Sequence, residues 1–317
     1  MNFLGNILAT LFSTNKDHYE KISDYIDLED ILSPFIFYND KSELISVIEI
    51  KIPISETFQI PFCLEFEKTF KELFNQGLHI QFFYAKQKGV LKNYAILYTQ
   101  FNSEKHKETC LEFSKLIEKY KGESAFVRND YFKKYLKYFA DTSISPNDLN
   151  KDETVHTLLD KKNYEIHVNH LKIGSTYYSV LTLAFDTRSV PIEHIHNELS
   201  KIDYHMSYRV ESTMTKEETI NKVVKVLSDE QTQLNTTACA STFHIKVWSN
   251  TVKELYEKIN VVSRAFNYHG KTLYINNDDM FFDYINALPA VKKNMDGEIK
   301  IESINTTAYF FNLFKKT

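Results

Sequence analysis

The chain has 317 residues, enough for two domains of ordinary size or one large domain. It is 43% hydrophobic and 14% aromatic, so it can bury a substantial core. Its formal charge of −4 gives no sign of the basic face that binding to DNA or RNA requires.

The first part of the chain alternates between strand and helix patterns. Apolar residues recur at every second position in Leu44–Ile52 and Leu78–Ala85, which predicts two strands. Helical spacing predicts helices over Phe62–Phe74 and Ser103–Tyr120, and a glycine follows each of them as a stop. The segment Asn129–Tyr138 is basic and aromatic, as an amphipathic helix with an outer face of lysines would be.

A polar segment, Thr142–Glu153, divides the chain. We predict that residues 142–153 are a linker between a first α/β sub-domain, residues 1–141, and a second, residues 154–317. The end of the second sub-domain is interpreted as a connector to a motor domain that is not present in this chain.

The second part repeats the alternation more clearly. Patterns of period two predict four strands, and Pro191, the capping box Thr215–Glu218 and Asn250 are predicted to start three helices. The strands are expected at Tyr177–Phe185, Tyr204–Thr213, Cys239–Trp248 and Lys271–Asn276. The sequence therefore predicts an α+β fold of two mixed α/β sub-domains, built of βαβ units with sheets covered by helices.

The glycines exclude several families of nucleotide-binding enzymes. The chain has only seven, and no two lie close together. Phosphate-binding loops need clustered glycines, because the backbone must approach the phosphate and adopt positive φ. GxxxxGK[ST], GxGxxG and GxSxG are thus all absent from the sequence. We expect no cofactor.

Cysteine content and hydropathy favour a cytoplasmic location. Cys63, Cys110 and Cys239 are far apart and odd in number, which is typical of reduced thiols rather than of a disulfide framework. No uncharged run approaches the ~20 residues that span a bilayer. The apolar start, Asn2–Phe12, lacks the features of a signal peptide, so it either docks on its own domain or lies on a membrane.

Histidine spacing offers one candidate metal site. His194 and His196 could bind zinc from a strand, where positions i and i+2 share a face. Pro191 and the apolar spacing instead place them on a helix, where the two side chains diverge. His167 and His170 lie in a polar stretch before a strand and are interpreted as structural.

Two charged clusters have ordinary structural interpretations. Asp278 and Asp279, with Asp283 one turn on, complement a helix dipole better than they hold magnesium. Lysines alternate with aromatic residues in Asn129–Tyr138, a pattern that single-stranded nucleic acids can bind but that amphipathic helices also show. We therefore predict no metal site and no nucleic-acid partner.

The order of segments resembles the amino-terminal domain of the type IV secretion and conjugative transfer traffic ATPases (VirB-, Trb- and TraC-type). The resemblance extends over most of the chain as order and hydrophobic pattern. Its segments are the strand pair Leu28–Ile52, LHIQFFYAK, LKIGSTYYSVLTLAF, STFHIKVWSNTVKELYEKINVVSRAFNYHGKTLY, the LP segment Asn286–Pro289 and the aromatic run Thr306–Phe314.

In that family an ATPase domain with Walker motifs follows, and this sequence contains none. The resemblance therefore implies an assembly module that is not an enzyme by itself. It implies docking of the motor to the inner-membrane complex and to sister subunits, a homo-oligomer in the assembled machine, and a cytoplasmic location peripheral to the inner membrane.

Apolar residues near the two ends of the chain are the candidate partner-binding residues. They are Phe3, Leu4, Tyr309, Phe310, Phe311 and Phe314. Two other functions stay open from the residues alone: a metal-dependent hydrolase that uses His194 or His196, and a small nucleic-acid-binding protein that uses Asn129–Tyr138.

Overall fold

The computed structural model of the protein describes residues 30–39, 43–51, 68, 72, 78–100, 102–119, 122–143, 164–183, 195, 198–212, 238–268, 272–276, 280–290 and 300–303. Strands and helices alternate through these residues, and the fold is α+β.

The first half of the chain contains six strands and two helices within the described ranges. In order these are β1 (Asp30–Ser33), β2 (Ile36–Tyr38), β3 (Glu43–Lys51), β4 (His79–Gln87), β5 (Val90–Gln100), α1 (Ser103–Lys119), β6 (Glu123–Phe126) and α2 (Asn129–Ala140). Lys68 and Glu72, between β3 and β4, are also helical.

The second half repeats this order. Its elements are β7 (Tyr164–His167), β8 (His170–Ile173), β9 (Thr176–Leu183), β10 (Tyr204–Ser212), β11 (Ala238–Ser249), α3 (Val252–Asn267), β12 (Leu273–Tyr274), α4 (Met280–Asn286) and β13 (Lys300–Ser303). Ile195, Glu198 and Leu199, between β9 and β10, are helical.

All thirteen of these strands belong to one sheet, whereas the sequence predicted separate sheets in two sub-domains. The order is β1-β2-β3-β5-β4-β10-β11-β9-β8-β7, with β6 beside β3, β12 beside β9 and β13 beside β11. The two halves meet where β4 pairs with β10, and Phe83 lies opposite Ser207 in that pair. We call this junction the seam.

Each helical crossover connects two parallel strands that another strand separates. Ile48 of β3 pairs with Ala95 of β5 on one side and with Phe126 of β6 on the other. Thr182 of β9 likewise lies between β11 and β12. Every pairing in the described sheet is therefore antiparallel, and the βαβ units predicted from the sequence do not place their strands side by side.

This topology is the same in both halves. The strand orders β6-β3-β5-β4 and β12-β9-β11-β10 are equivalent, and each follows the β-α-β-β-α-β order of a ferredoxin-like unit. Helix α2 follows the last strand of the first unit, and α4 follows that of the second. These two appended helices distinguish the protein from a bare pair of such units.

The sheet is the middle of three layers, because successive strand residues point to opposite faces. Phe82 lies in a buried cluster with residues of α1 and α3. Its neighbour Phe83 lies in a second cluster with residues of α2 and α4. Helices α1 and α3 thus lie on one face of the sheet, and the appended helices α2 and α4 lie on the other.

Both appended helices end across the seam, on strands of the opposite half. After α2, the Thr142 backbone N–H donates to Tyr178 Oη on β9 at 3.1 Å. After α4, Gln81 of β4 donates to the Leu288 carbonyl at 2.8 Å and accepts from the Ala290 N–H at 2.9 Å. These contacts join the two halves in addition to the β4–β10 pair.

The predicted linker lies mostly outside the described residues, and the division into sub-domains stays a prediction.

Candidate interaction surface

Exposed large apolar side chains concentrate at the ends of the two outer hairpins. Seven such residues occur in the described ranges, and five of them lie at or beside these ends. They are Leu32 (45% exposed), Phe35 (40%) and Tyr131 (45%) at the β1–β2 hairpin, and Val168 (51%) and Tyr256 (39%) at the β7–β8 hairpin. Clusters of exposed apolar residues commonly mark protein-binding surfaces.

Hydrogen bonds hold the β1–β2 end in a fixed conformation. Asn129, the first residue of α2, donates its backbone N–H to the Pro34 carbonyl at 2.8 Å and its side-chain amide to Ser33 O at 2.7 Å. Ser46 donates to the Phe35 carbonyl at 2.9 Å. The Phe35 ring packs edge-on against Phe126, with centroids 6.3 Å apart. The exposed Phe35 ring is therefore held in place by Phe126 and by the hydrogen bonds of its hairpin.

The β7–β8 end is built in the same way. Its two-residue turn, Val168–Asn169, is held by Ser179, which donates to the Asn169 carbonyl at 2.9 Å. The Asn169 side chain donates to Tyr256 Oη on α3 at 3.4 Å. Ser46 and Ser179 lie on the corresponding strands β3 and β9, so the two hairpin ends are structural equivalents at opposite edges of the sheet.

Charged groups surround both ends. Arg128 and Asp130 form an exposed ion pair of 3.2 Å beside the first. At the second, Lys172 lies 2.7 Å from Glu165, and its hydrogen bond holds the pKa of Glu165 below the ordinary value. Burial, and then the neighbouring His167, lower the pKa of His170 to about 4. An apolar centre with a polar rim is the usual composition of a protein interface.

One buried cluster has the side chains of a hydrolytic site but not the chemistry. His106 Nε2 lies 2.8 Å from Ser46 Oγ and 3.7 Å from Cys110 Sγ, and its Nδ1 lies 2.8 Å from Thr99 Oγ1. Ser46 donates its hydroxyl proton to the Phe35 carbonyl. In the hydrogen bond between Ser46 and His106, the donor is therefore His106 Nε2. An activating base would have to accept that proton instead.

Burial also opposes catalysis in this cluster. It lowers the pKa of His106 to about 4 and raises the pKa of the Cys110 thiol to about 12. A reactive cysteine needs a thiolate, which requires a lowered pKa and some exposure. His106 and Cys110 are almost completely buried. The cluster therefore ties α1 to the sheet.

A second buried cluster lies at the seam under the end of α2. Lys246 of β11 is fully buried and donates to the Phe139 carbonyl, and its Nζ lies 4.9 Å from the Tyr284 ring centre. Burial lowers its pKa well below the ordinary value, against the attraction of Asp141. Burial and then Lys246 lower the pKa of His205. Such lysines can serve in catalysis when a cavity reaches them, but this amine is enclosed by α2 and α4.

Most of the metal-binding candidates from the sequence lie outside the described residues. His194, His196, Asp278 and Asp279 lie outside the described residues, and Ile195 between the two histidines is helical and buried. In the described part of the chain, no group of three or more histidine, cysteine or acidic side chains is placed to hold a metal ion.

Helix α2, the nucleic-acid candidate, directs most of its aromatic residues inward. Phe132, Tyr138 and Phe139 are buried, and only Tyr131 is largely exposed. Stacking on bases requires accessible rings, which this helix largely lacks.

The six partner-binding residues predicted from the sequence all lie outside the described ranges. These are Phe3, Leu4, Tyr309, Phe310, Phe311 and Phe314. The hairpin ends were missed because exposure is a property of the fold: Leu32 and Val168 continue ordinary strand patterns, and no local signal separates them from core residues.

Comparison with known proteins adds no identification. No family model matches the chain, and no curated protein matches its sequence. Where the structure is described, no helix has both the length and the apolar character needed to cross a bilayer.

Proposed function

We propose that this chain is a non-catalytic interaction module that binds protein partners through its two hairpin ends. The observation that carries the proposal is the grouping of Leu32, Phe35 and Tyr131 at one end and of Val168 and Tyr256 at the other. Large apolar and aromatic side chains, held rigidly and surrounded by polar groups, supply most of the binding energy at protein interfaces.

Rigidity supports this proposal. Both ends are hydrogen-bonded to a sheet that helices cover on two faces, and the halves are joined across the seam. A binding surface that is ordered before association loses little conformational entropy on binding. Because the two ends lie at opposite edges of the sheet, one molecule could bind two partners at once.

The resemblance to secretion ATPases suggests who the partners are. In this proposal the chain docks a type IV secretion motor to the inner-membrane complex and to sister subunits, in the cytoplasm beside the membrane. The apolar residues near the chain ends, such as Phe3 and Phe310, would add contacts there. This part of the proposal is supported by the order of sequence segments, and the exposed hairpin ends support the binding role itself.

Site-specific crosslinking in the native cell tests the proposal. A photoreactive phenylalanine analogue is placed at Phe35 or at Tyr256, and crosslinked proteins are identified by mass spectrometry. Matched controls are Leu111 in the middle of α1 and Tyr268 after the end of α3, which are also exposed, at 50% and 82%, but belong to neither group of hairpin-end residues. We expect a discrete protein adduct from each hairpin position and none from the controls.

The partner identified is then purified and its affinity for the chain is measured. Phe35→Asp should weaken binding at the first end, whereas Leu111→Asp should not. Equal crosslinking from all four positions, or unchanged affinity in the Phe35→Asp variant, would contradict the binding role. A partner unrelated to secretion would overturn only the secretion assignment.

A further inference from the structure

A pair of histidines faces outward beside the β7–β8 hairpin end. The register pairs His167 directly with His170 across the two-residue turn. Side chains alternate along a strand, so Ile166 and Leu171 face the core while both histidines lie on the opposite face. The hairpin itself therefore brings the two imidazoles together.

The two rings stack face to face, with centroids 4.5 Å apart and planes inclined by only 17°. A metal ion lies in the plane of each imidazole that binds it, so the rings must turn out of this stack to direct one nitrogen each at a shared ion. His170 also packs against Tyr177, with centroids 5.5 Å apart. Its Nδ1 is buried, with no hydrogen-bond partner among the described residues. A buried polar atom without a partner is uncommon, and a turn of the ring that brings this nitrogen to an ion at the surface would give it one.

A carboxylate lies behind the first histidine. Glu165 Oε2 is 3.6 Å from His167 Nε2, while its other oxygen lies 2.7 Å from Lys172. A metal-bound histidine commonly directs its second nitrogen at a carboxylate, which fixes the tautomer and orients the ring. Glu165 is placed for that supporting role.

We propose that His167 and His170 bind a divalent transition-metal ion, one nitrogen from each imidazole. Imidazole nitrogen suits Cu²⁺, Ni²⁺ and Zn²⁺, and Cu²⁺ binds such sites most tightly. No third ligand is in place among the described residues, so water completes the coordination. The site goes beyond the proposed binding role and would add a metal-dependent contact next to Val168.

Titration of the untagged, chelator-treated chain with CuCl₂ tests the proposal, with calorimetry for affinity and electron paramagnetic resonance for nitrogen coordination. We expect one ion per chain with imidazole nitrogens bound. His167→Gln and His170→Gln should each weaken Cu²⁺ binding at least ~10-fold, since even supporting residues matter by that factor. Zn²⁺ should raise the melting temperature of the unaltered chain but not of these variants.

Two controls make the result decisive. His79→Gln removes another partly exposed histidine, which lies 3.8 Å from Glu43, and should leave affinity unchanged. A double His194→Gln, His196→Gln variant tests the pair singled out from the sequence. Circular dichroism checks that each variant folds. Undiminished Cu²⁺ affinity in the His167→Gln variant, or loss of binding only in the double variant, would overturn the proposal.

Discussion

Both appended helices end across the seam, but the polar side chains that bind the two ends differ in chemistry. The end of α2 meets a buried amine, Lys246, which donates to the Phe139 carbonyl. The end of α4 meets a neutral amide, Gln81, which bonds to Leu288, Ala290 and Ser207. One topology therefore accommodates an ionisable contact in one half and an uncharged contact in the other.

The comparison explains why the repeat is hard to see in the sequence. Backbone order and hydrophobic alternation are shared, while the buried polar residues that fix each helix are not. A buried amine must be desolvated, so its contribution to stability depends on pH and on its partners. A neutral amide that has its hydrogen bonds carries no such dependence.

The largest effect should follow from Lys246→Ala. Removing the buried side chain leaves a cavity and an unpaired Phe139 carbonyl, which together should lower the free energy of unfolding by about 3 kcal/mol. Lys246→Met refills the volume and removes the desolvation penalty, so it should cost about 1 kcal/mol or less. Urea denaturation at pH 7 measures both. Equal losses in the two variants would show that the amine itself, and not its volume, stabilises the seam.

The buried histidine cluster predicts a loss of stability in acid. The pKa of His106 falls from 6.5 to about 4 on folding. Between these values the unfolded chain binds a proton that the native chain does not, so stability is lost as pH falls from 6.5 toward 4. The loss should reach about 3 kcal/mol. His106→Asn should flatten this part of the pH profile, measured by urea denaturation, and an unchanged profile would exclude His106 as its source.

Methionine substitutions at Gln81 and at Lys246 compare the two side chains that bind the ends of the appended helices. Gln81→Met keeps the volume but leaves the Leu288 carbonyl and the Ala290 N–H unpaired, which should cost about 2 kcal/mol. That is more than Lys246→Met, because no desolvation penalty is relieved in exchange. Thermal unfolding under identical conditions gives the ranking. The reverse ranking would mean that the charged contact is the stronger of the two.

Ser46 and Ser179 lie on the equivalent strands β3 and β9, and their substitution should lower the free energy of unfolding by small amounts. Ser46 bonds both to the Phe35 carbonyl and to His106, whereas Ser179 bonds to the Asn169 carbonyl. Ser46→Ala should therefore cost about 2 kcal/mol and Ser179→Ala about 1 kcal/mol. Chemical denaturation distinguishes the two values. Identical losses would argue that His106 adds nothing to the hold on the first hairpin.

Local elements were largely predictable from the sequence. Apolar spacing placed α1 almost residue for residue, and period-two patterns located β3, β4, β9, β10 and β11. The cap of α3 was predicted one residue early: Thr251, not Asn250, accepts from the Glu254 N–H. The β7–β8 hairpin was not predicted, because each of its strands has only four residues and the segment around His167 and His170 was interpreted as a polar stretch.

Strand partners were not predictable in the same way. Hydrophobic alternation states which face of a strand is buried but not which strand lies beside it. Val210 pairs with Ile80, far away in sequence, and nothing near either residue encodes that choice. The same limit applies to the candidate surface, because Leu32 and Phe35 are exposed only by virtue of the position of their hairpin at the sheet edge.

The central claim is that both halves form one rigid sheet that presents two hairpin ends. Native-state hydrogen exchange of the β4 and β10 amides that face each other measures this directly. We predict that these amides exchange only by global unfolding, with the same free energy as the amides between β3 and β5. Exchange at the seam with a much lower free energy than inside either half would show two independent domains and contradict the account.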